Sequence, residues 1–273
     1  AQFNNALIYF MLAGAGAAAA LGHYVDAGVI LAVVIVNAIV GFLQEGKAES
    51  ALNAIRDMIA PRADLDVILA SPKGIGPRIR DLYEAGEGVF CLFSVQQDAT
   101  GDAHALGLSY AAALGCGRKG ILETTMKDEC ESDLFGEQVV LCGGVAELID
   151  AAFMKLVDAG YPPEVAWFEC FYETKLVTDL MYQRGIAGAF ARISNTAEYG
   201  AYLTGPRIIN ETSRAAMDTV LAEVRGGDFV RRLMADYDAG SPELLARRAA
   251  LDRRFIERVT THLNSVAEAA NDA

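Results

Sequence analysis

The sequence is poor in basic side chains, in histidine and in paired cysteines, and each shortage argues against a class of function. Its 273 residues contain 23 Lys and Arg against 36 Asp and Glu, which gives a formal net charge of −13. A nucleic-acid-binding surface needs clustered Lys and Arg, so nucleic acid is not expected as a partner. The 3 histidines and 5 cysteines are scattered without a CxxC pair. This pattern argues against an imidazole or thiolate metal site and favours reduced thiols.

Charged side chains are also almost absent near the start of the chain, where Asp26 is the only one before Glu45. Two apolar runs occupy residues 6–22 and 27–43. Each run lies at the short end of the roughly 17 to 25 residues that a membrane-spanning helix needs. The runs predict a helical hairpin through which residues 6–43 could contact a membrane, with a buried hairpin in a soluble protein as the alternative. Because the first basic residues follow the second run, the bulk of the chain is expected in the cytoplasm.

After the hairpin, short strand-like runs are followed by longer helical patterns. Aliphatic and β-branched runs predict strands at 67–70, 89–95 and 120–124. Apolar residues at three- and four-residue spacing, with Gly or Pro at most boundaries, predict the helices. These helical segments are 44–58, 102–114, 135–159, 163–184, 208–225 and 242–270. The sequence therefore predicts a mainly α chain with a small sheet.

Four carboxylates stand in two pairs with helical spacing. Asp133 and Glu137 are four residues apart, and Glu169 and Glu173 repeat that spacing. Residues four apart stack on one face of a helix, and hard divalent cations prefer carboxylate oxygens. The alternative is that they are capping and solvated charges, with Ser132 as the N-cap of the first helix. Apolar neighbours weaken that alternative, because carboxylates embedded in apolar helices are costly unless paired, protonated or bound to a cation.

Five stretches carry a family resemblance: DVILASPKGIG, VQQDATGDA, ETTMKDECESDLFGEQVVLCGGVAELI, AGYPPEVAWFECFYETKLVTDLMY and ISNTAEYGAYLTGPRII. In order and spacing, they resemble the C-terminal part of ketol-acid reductoisomerase, also called acetohydroxy-acid isomeroreductase, of the short bacterial class. The resemblance extends from about residue 64 to about residue 261. It implies an intertwined, knotted-type helical domain that forms a homodimer, with the predicted strands as the edge of a Rossmann nucleotide-binding domain.

The resemblance also implies a chemistry. In that family the four paired carboxylates hold two Mg²⁺ ions, and the second pair comes from the partner subunit. Ser194 matches the serine that binds the substrate carboxylate, and Lys73 matches the lysine after the last strand of the nucleotide domain. The family reaction is an alkyl migration in 2-acetolactate or 2-aceto-2-hydroxybutyrate followed by reduction with NADPH, in branched-chain amino-acid biosynthesis. Without the family match, Lys73 could equally be a solvated turn lysine and Ser194 an ordinary cap.

The first part of the chain departs from that pattern. No glycine-rich phosphate loop and no catalytic histidine of the family precede Asp64, and the GAG at Gly14–Gly16 belongs to an alanine-rich apolar run. The NADPH-binding domain is therefore expected to be missing. The chain alone is then expected to be inactive, although it could still bind Mg²⁺.

Residues 2–63, which include VNAIVGFLQE, instead resemble the first two membrane helices of a P-type cation-transporting ATPase. Together the two resemblances predict a chimera of three parts. These are a hairpin with a helical extension at 1–63, a remnant of the nucleotide-binding domain at 64–95, and a helical metal- and substrate-binding domain at 96–273. The alternative function is a catalytically inactive, membrane-anchored fusion or ATPase fragment.

Overall fold

The computed structural model describes residues 62–271, together with a few isolated positions between 16 and 32. The predicted hairpin and the helix predicted at 44–58 therefore lie almost entirely outside the described residues. Within the described part, no helix is long and apolar enough to cross a bilayer. The chain divides into two compact units, one formed by residues 1–130 and 223–229 and the other by residues 131–222 and 230–273.

The first unit contains a three-stranded sheet in the order β1, β2, β3. Strand β1 (Val67–Pro72) pairs antiparallel with β2 (Cys91–Gln97), and β2 pairs parallel with β3 (Ile121–Glu123). Pro72 lies opposite Cys91, so the end of β1 meets the start of β2. The three predicted strands are confirmed, with bounds that differ by one or two residues.

Helix α2 (Ala103–Ala113) packs against this sheet at a glycine. A Cβ atom added to Gly107 would lie 2.2 Å from the Phe93 ring, so only glycine permits this approach. Below the contact, Cys91, Ala111 and Cys116 form a buried apolar cluster. These small side chains bring the helix and the sheet close together.

Helix α1 (Gly76–Glu84) lies between β1 and β2 and was not predicted. The SPKGIGP stretch was interpreted as a turn because it contains two prolines and two glycines. Pro77 lies in the first turn of α1. The backbone N–H groups of a first turn have no intrahelical acceptor, so proline, which lacks this group, loses no hydrogen bond there.

The remaining described elements are helical. Two π-helical segments occur among them, π1 (Glu137–Leu141) and π2 (Phe168–Tyr172). The α-helices are α3 (Met126–Gly136), α4 (Gly144–Asp158), α5 (Pro163–Trp167), α6 (Glu173–Phe190), α7 (Asn195–Ile208), α8 (Glu211–Arg225), α9 (Asp228–Asp238), α10 (Pro242–Leu251) and α11 (Phe255–Asn271). The mainly α fold with a small sheet is confirmed, whereas the intertwined, knotted arrangement stays a prediction.

Several predicted helix boundaries are wrong, and the first of them concerns the acidic run. The helix begins at Met126 rather than after Ser132, because the Thr125 hydroxyl accepts the Asp128 backbone N–H at 3.0 Å and caps the helix earlier. Ser132 therefore lies inside α3. Helices α7 and α9 were also missed, and the predicted helix at 242–270 is two helices separated by a turn.

The core of the second unit lies where α4, α5 and α11 meet. Its buried members are Phe153, Ala166, Trp167, Ile256 and Val259. The Phe153 and Phe255 rings pack edge to face with centroids 5.8 Å apart. Beside this core, the Arg254 guanidinium in the turn before α11 pairs with Glu147 at 2.6 Å and with Asp150 at 3.2 Å. These contacts anchor the start of α11 against α4.

Candidate active site

The four predicted carboxylates lie at or next to the two π-helical segments. Asp133 lies in α3 and is half-buried, and Glu137 opens π1 and is exposed. Glu169 lies in π2 and Glu173 opens α6, and both are exposed. π-Helical turns are rare and occur frequently at functional sites. The coincidence of both pairs with such turns is a structural signal that the sequence did not provide.

The expectation that the carboxylates are embedded among apolar side chains is wrong for three of the four in the single chain, since only Asp133 is half-buried. Most of the neighbouring apolar side chains are themselves exposed, so they do not exclude water from Glu137, Glu169 or Glu173. Their exposed fractions are 50% for Val140, 68% for Leu141, 44% for Phe168, 38% for Phe171 and 50% for Tyr172. An apolar surface of this kind beside charged groups is typical of an interface.

Segment π1 depends on two glycines that follow it. The Gly143 N–H donates to the Glu137 carbonyl at 3.1 Å, which closes a turn wider than that of an α-helix. A Cβ atom on Gly143 would lie 2.0 Å from the Gln138 carbonyl oxygen, and one on Gly144 would lie 1.9 Å from that of Val139. The backbone geometry after Glu137 therefore requires glycine at both positions.

Cys170 lies beside Glu169, in surroundings that disfavour its thiolate. Burial and the negative charge of Glu169 raise the pKa of the Cys170 thiol above its ordinary value. Its side chain packs against the core of the second unit. The exposed ligands at and next to π2 are the carboxylate oxygens of Glu169 and Glu173, which suit a hard cation such as Mg²⁺.

The two carboxylate pairs do not meet within one chain. In the part of the chain that the structure describes, no group of three or more His, Cys, Asp and Glu side chains could hold a metal ion. Mg²⁺ is commonly bound by one or two carboxylates, together with water and substrate oxygens. Each pair therefore fits a share of a magnesium site, and neither pair alone forms a closed protein cage.

Lys73, the predicted lysine at the end of β1, is held by a buried carboxylate. Its Nζ donates to Oε1 of Glu129 at 2.7 Å, and its backbone N–H donates to the Phe90 carbonyl at 2.7 Å. Glu129 is only 5% exposed. Burial raises the pKa of Glu129, but hydrogen bonds from Lys73 and Ser71 and the charge of Lys73 outweigh it, so that its pKa lies below the ordinary value. Lys73 and Glu129 thus form an ion pair at neutral pH, and Lys73 is not merely a solvated turn lysine.

Glu129, the carboxylate that holds Lys73, is a residue that the sequence analysis missed. It lies one helical turn before Asp133 on α3, and Glu137 follows one turn later. A carboxylate at every fourth position was a signal for it in the sequence.

Ser194, the predicted substrate-binding serine, is the N-cap of α7. Its Oγ accepts the Ala197 backbone N–H at 3.2 Å. A serine hydroxyl that accepts one hydrogen bond can still donate another. The start of a helix also favours an anion, since its first N–H groups and its dipole point outward. The position can therefore serve as a cap and as a contact for a carboxylate at the same time.

Comparison with known proteins identifies the family. The family model described as ketol-acid reductoisomerase, C-terminal domain, matches residues 126–268. The chain belongs to the ketol-acid reductoisomerase family. A second model, described as acetohydroxy acid isomeroreductase, NADPH-binding domain, matches residues 29–120.

A solved structure is also similar, that of an NADH-preferring ketol-acid reductoisomerase from an uncultured archean. It is 41% identical, with a TM-score of 0.73, and the match covers 75% of this chain. The chain spans 62% of the length of that reductoisomerase.

The family match corrects the interpretation of the first part of the chain. The prediction that the NADPH-binding domain is missing is wrong, because the model of that domain matches residues 29–120. This match crosses the join predicted near residue 64, so the chimera loses its support. The resemblance to a P-type ATPase hairpin and the association with a membrane are likewise unsupported.

Proposed function

We propose that this chain acts as a ketol-acid reductoisomerase. The reaction would be a magnesium-dependent alkyl migration in 2-acetolactate or 2-aceto-2-hydroxybutyrate, followed by reduction with a nicotinamide cofactor, in branched-chain amino-acid biosynthesis. The observation that carries the proposal is the match of residues 126–268 to the C-terminal domain of that family, a range that contains all four paired carboxylates. A cytoplasmic location follows as an expectation from this biosynthetic role.

The metal ligands in this proposal are Asp133, Glu137, Glu169 and Glu173, which together would hold two Mg²⁺ ions. A homodimer would complete the site, with the second pair coming from the partner subunit. Two observations support this arrangement. The pairs do not converge within the described part of one chain, and exposed aliphatic and aromatic side chains flank both pairs.

Three side chains outside the pairs have roles in the proposal. When bound, Mg²⁺ supplies polarisation of the substrate's hydroxyl and carbonyl oxygens, and the nicotinamide supplies the reducing equivalent. The Lys73 Nζ, which pairs with Glu129, provides a positive charge that stabilises negative charge on substrate oxygen. The Ser194 hydroxyl donates to the substrate carboxylate, and the start of α7 favours that negative charge.

The cofactor is proposed to be NADPH, because the model of an NADPH-binding domain matches this chain. The similar archaeal structure is that of an NADH-preferring enzyme, so both nucleotides belong in the test. Consumption of each is followed by absorbance with 2-acetolactate and Mg²⁺. Turnover with NADPH above that with NADH is expected, and the reverse order would contradict the cofactor assignment.

The metal assignment is tested by replacing one carboxylate. Glu169→Gln is expected to abolish both turnover and Mg²⁺ binding measured by calorimetry, because an amide oxygen lacks the charge that holds the ion. Glu164→Gln is the matched control, since Glu164 is an exposed carboxylate on α5 outside the two pairs. Unchanged Mg²⁺ binding in Glu169→Gln, or equal loss in Glu164→Gln, would contradict the assignment.

The dimer is tested separately by sedimentation. The proposal predicts a homodimer, and it predicts that Glu169→Gln and Asp133→Asn chains regain Mg²⁺ binding when mixed. A dimer of one chain of each variant has two shared sites. Both substitutions fall in one of these sites, so the other site is intact. Mixed chains that bind no more Mg²⁺ than the separate variants would contradict a site shared between subunits.

A further inference from the structure

The chain contains a single tryptophan, and it lies directly before one of the carboxylate pairs. Trp167 is the last residue of α5, and π2 begins at the next residue. The indole is 9% exposed and belongs to the core of the second unit. The side chain that ends α5 is therefore fixed in the core, while the segment that follows it carries Glu169.

The indole N–H has one defined partner on the C-terminal helix. Nε1 of Trp167 donates to Oγ1 of Thr260 at 2.8 Å. Oγ1 of Thr260 donates its own hydrogen to the Ile256 carbonyl at 2.9 Å. The single hydrogen of the Thr260 hydroxyl is used in the bond to Ile256. The oxygen therefore accepts the indole N–H through a lone pair. The contact between α5 and α11 is thus directional and not only apolar.

The indole ring also determines how π2 is turned. Its centroid lies 5.3 Å from that of Phe168, 5.6 Å from that of Phe171 and 6.0 Å from that of Tyr172. Cys170 packs against the same core. Four of the five residues of π2 therefore contact the indole or the core beside it, although Phe168, Phe171 and Tyr172 remain partly exposed. Glu169 is the fifth residue, and it is exposed as well.

A π-helical turn needs such support from outside. Its hydrogen-bond pattern is rare and appears mostly as single turns inside α-helices, so local preference does not maintain it. The Cys170 carbonyl within π2 accepts the Thr174 hydroxyl at 2.8 Å. The contacts around π2 therefore support its geometry from outside the segment.

We propose that Trp167, held by Thr260, is a positioning residue that fixes π2 and thereby the direction in which Glu169 and Glu173 present their carboxylates to a divalent cation. The inference rests on the proposed function, because it takes these carboxylates to be Mg²⁺ ligands. In this proposal Thr260 on α11, far along the chain from both glutamates, controls the Mg²⁺ affinity of the site.

The test uses the full chain and Mg²⁺ alone, without substrate. Because Trp167 is the only tryptophan, its fluorescence reports on this position, and we expect a saturable change as Mg²⁺ is added. Thr260→Val removes the acceptor of the indole N–H. Its apparent Mg²⁺ affinity should fall about tenfold, the size of effect that partners of metal ligands commonly have. Thr260→Ser keeps the hydroxyl and should restore the affinity.

Thr261→Val is the matched control on the same helix. Oγ1 of Thr261 donates to the Glu257 carbonyl at 2.9 Å, as Thr260 does to Ile256, so both Val variants lose the same intrahelical bond. Only Thr260→Val also loses the indole contact. Equal Mg²⁺ affinities in the two Val variants would overturn the inference.

Trp167→Phe provides a second variant, followed by calorimetry because it removes the fluorescent group. It keeps an aromatic ring in the core and loses the N–H. If the hydrogen bond sets the affinity, the double variant with Thr260→Val should bind Mg²⁺ no more weakly than the weaker single variant. Losses that add in the double variant would overturn the inference.

The proposed function fails in a different way. A wild-type chain that does not bind Mg²⁺ by calorimetry, or one whose Glu169→Gln variant binds equally well, would overturn the metal assignment itself. The positioning role alone fails when the wild-type chain binds Mg²⁺, Glu169→Gln does not, and Thr260→Val matches Thr261→Val.

Discussion

Replacing Glu129 by Gln would remove the negative charge that faces the Lys73 ammonium while keeping the size of the side chain. The Lys73 Nζ lies 2.7 Å from Oε1 of Glu129, and the two side chains are 31% and 6% exposed. A hydrogen bond to a charged group is worth about 1.5 to 3 kcal/mol. Because Lys73 is partly solvated, we expect a loss near the middle of that range, about 2 kcal/mol, which is roughly thirtyfold in the unfolding equilibrium.

The loss should depend on pH in a defined direction. The pKa of Glu129 is lowered in the folded chain: burial opposes this shift, and hydrogen bonds from Lys73 and Ser71 outweigh it. A carboxyl group whose pKa is lower in the folded than in the unfolded chain stabilises the folded state. This stabilisation is complete above the pKa of the unfolded chain and is lost as the pH falls through the pKa of the folded chain. The free energy of unfolding of the wild-type chain should therefore exceed that of Glu129→Gln most clearly near neutral pH. This difference should shrink below about pH 4.

Urea denaturation followed by circular dichroism measures the difference, and Glu84→Gln is the matched control. The Arg80 guanidinium lies at the same 2.7 Å from Glu84, but those side chains are 69% and 59% exposed. An exposed helical pair of this kind is worth about 0.3 to 0.5 kcal/mol. Equal losses in the two variants would refute the argument that burial gives the Lys73 pair its strength. A Glu129→Gln loss that does not shrink in acid would also refute it.

Further predictions concern the glycines and the thiols. Gly143→Ala should cost about 2 to 3 kcal/mol, since its Cβ would lie 2.0 Å from a backbone oxygen. A Cβ atom on Gly136 would meet nothing within 4 Å, so Gly136→Ala should raise the free energy of unfolding by about 0.5 to 1 kcal/mol. Similar melting temperatures for the Gly143→Ala and Gly136→Ala variants would contradict both expectations. Among the thiols, exposed Cys142 should react with an alkylating reagent in the folded chain. Cys91 should not, because burial and Cys116 raise its pKa to about 11; early labelling of Cys91 in a peptide map would contradict this.

The paired carboxylates could be proposed as metal ligands from sequence because their spacing is a local signal. Asp133 and Glu137, like Glu169 and Glu173, are separated by one helical turn, and that spacing is visible without any knowledge of the fold. The start of α3 was also encoded locally, by Thr125 and Asp128, yet Ser132 was preferred because it precedes the carboxylates directly. Errors of this kind concern boundaries and leave the type of element correct.

The first part of the chain was misinterpreted for a different physical reason. An apolar run without charges gives the same local signal in a buried strand or helix as in a membrane helix. Hydropathy at residues 27–43 could not separate a nucleotide-binding domain from a membrane hairpin. The family match, which includes most of that run, made the distinction.

By itself, the sequence determined the mainly helical class and the three strands, because period and spacing act between residues close in the chain. It also suggested the metal ligands that we propose. Tertiary structure alone decided which partner each group received. Glu129 holds Lys73 across 56 residues and Thr260 holds Trp167 across 93. Such contacts depend on which faces of distant elements pack together, and no local pattern specifies that packing.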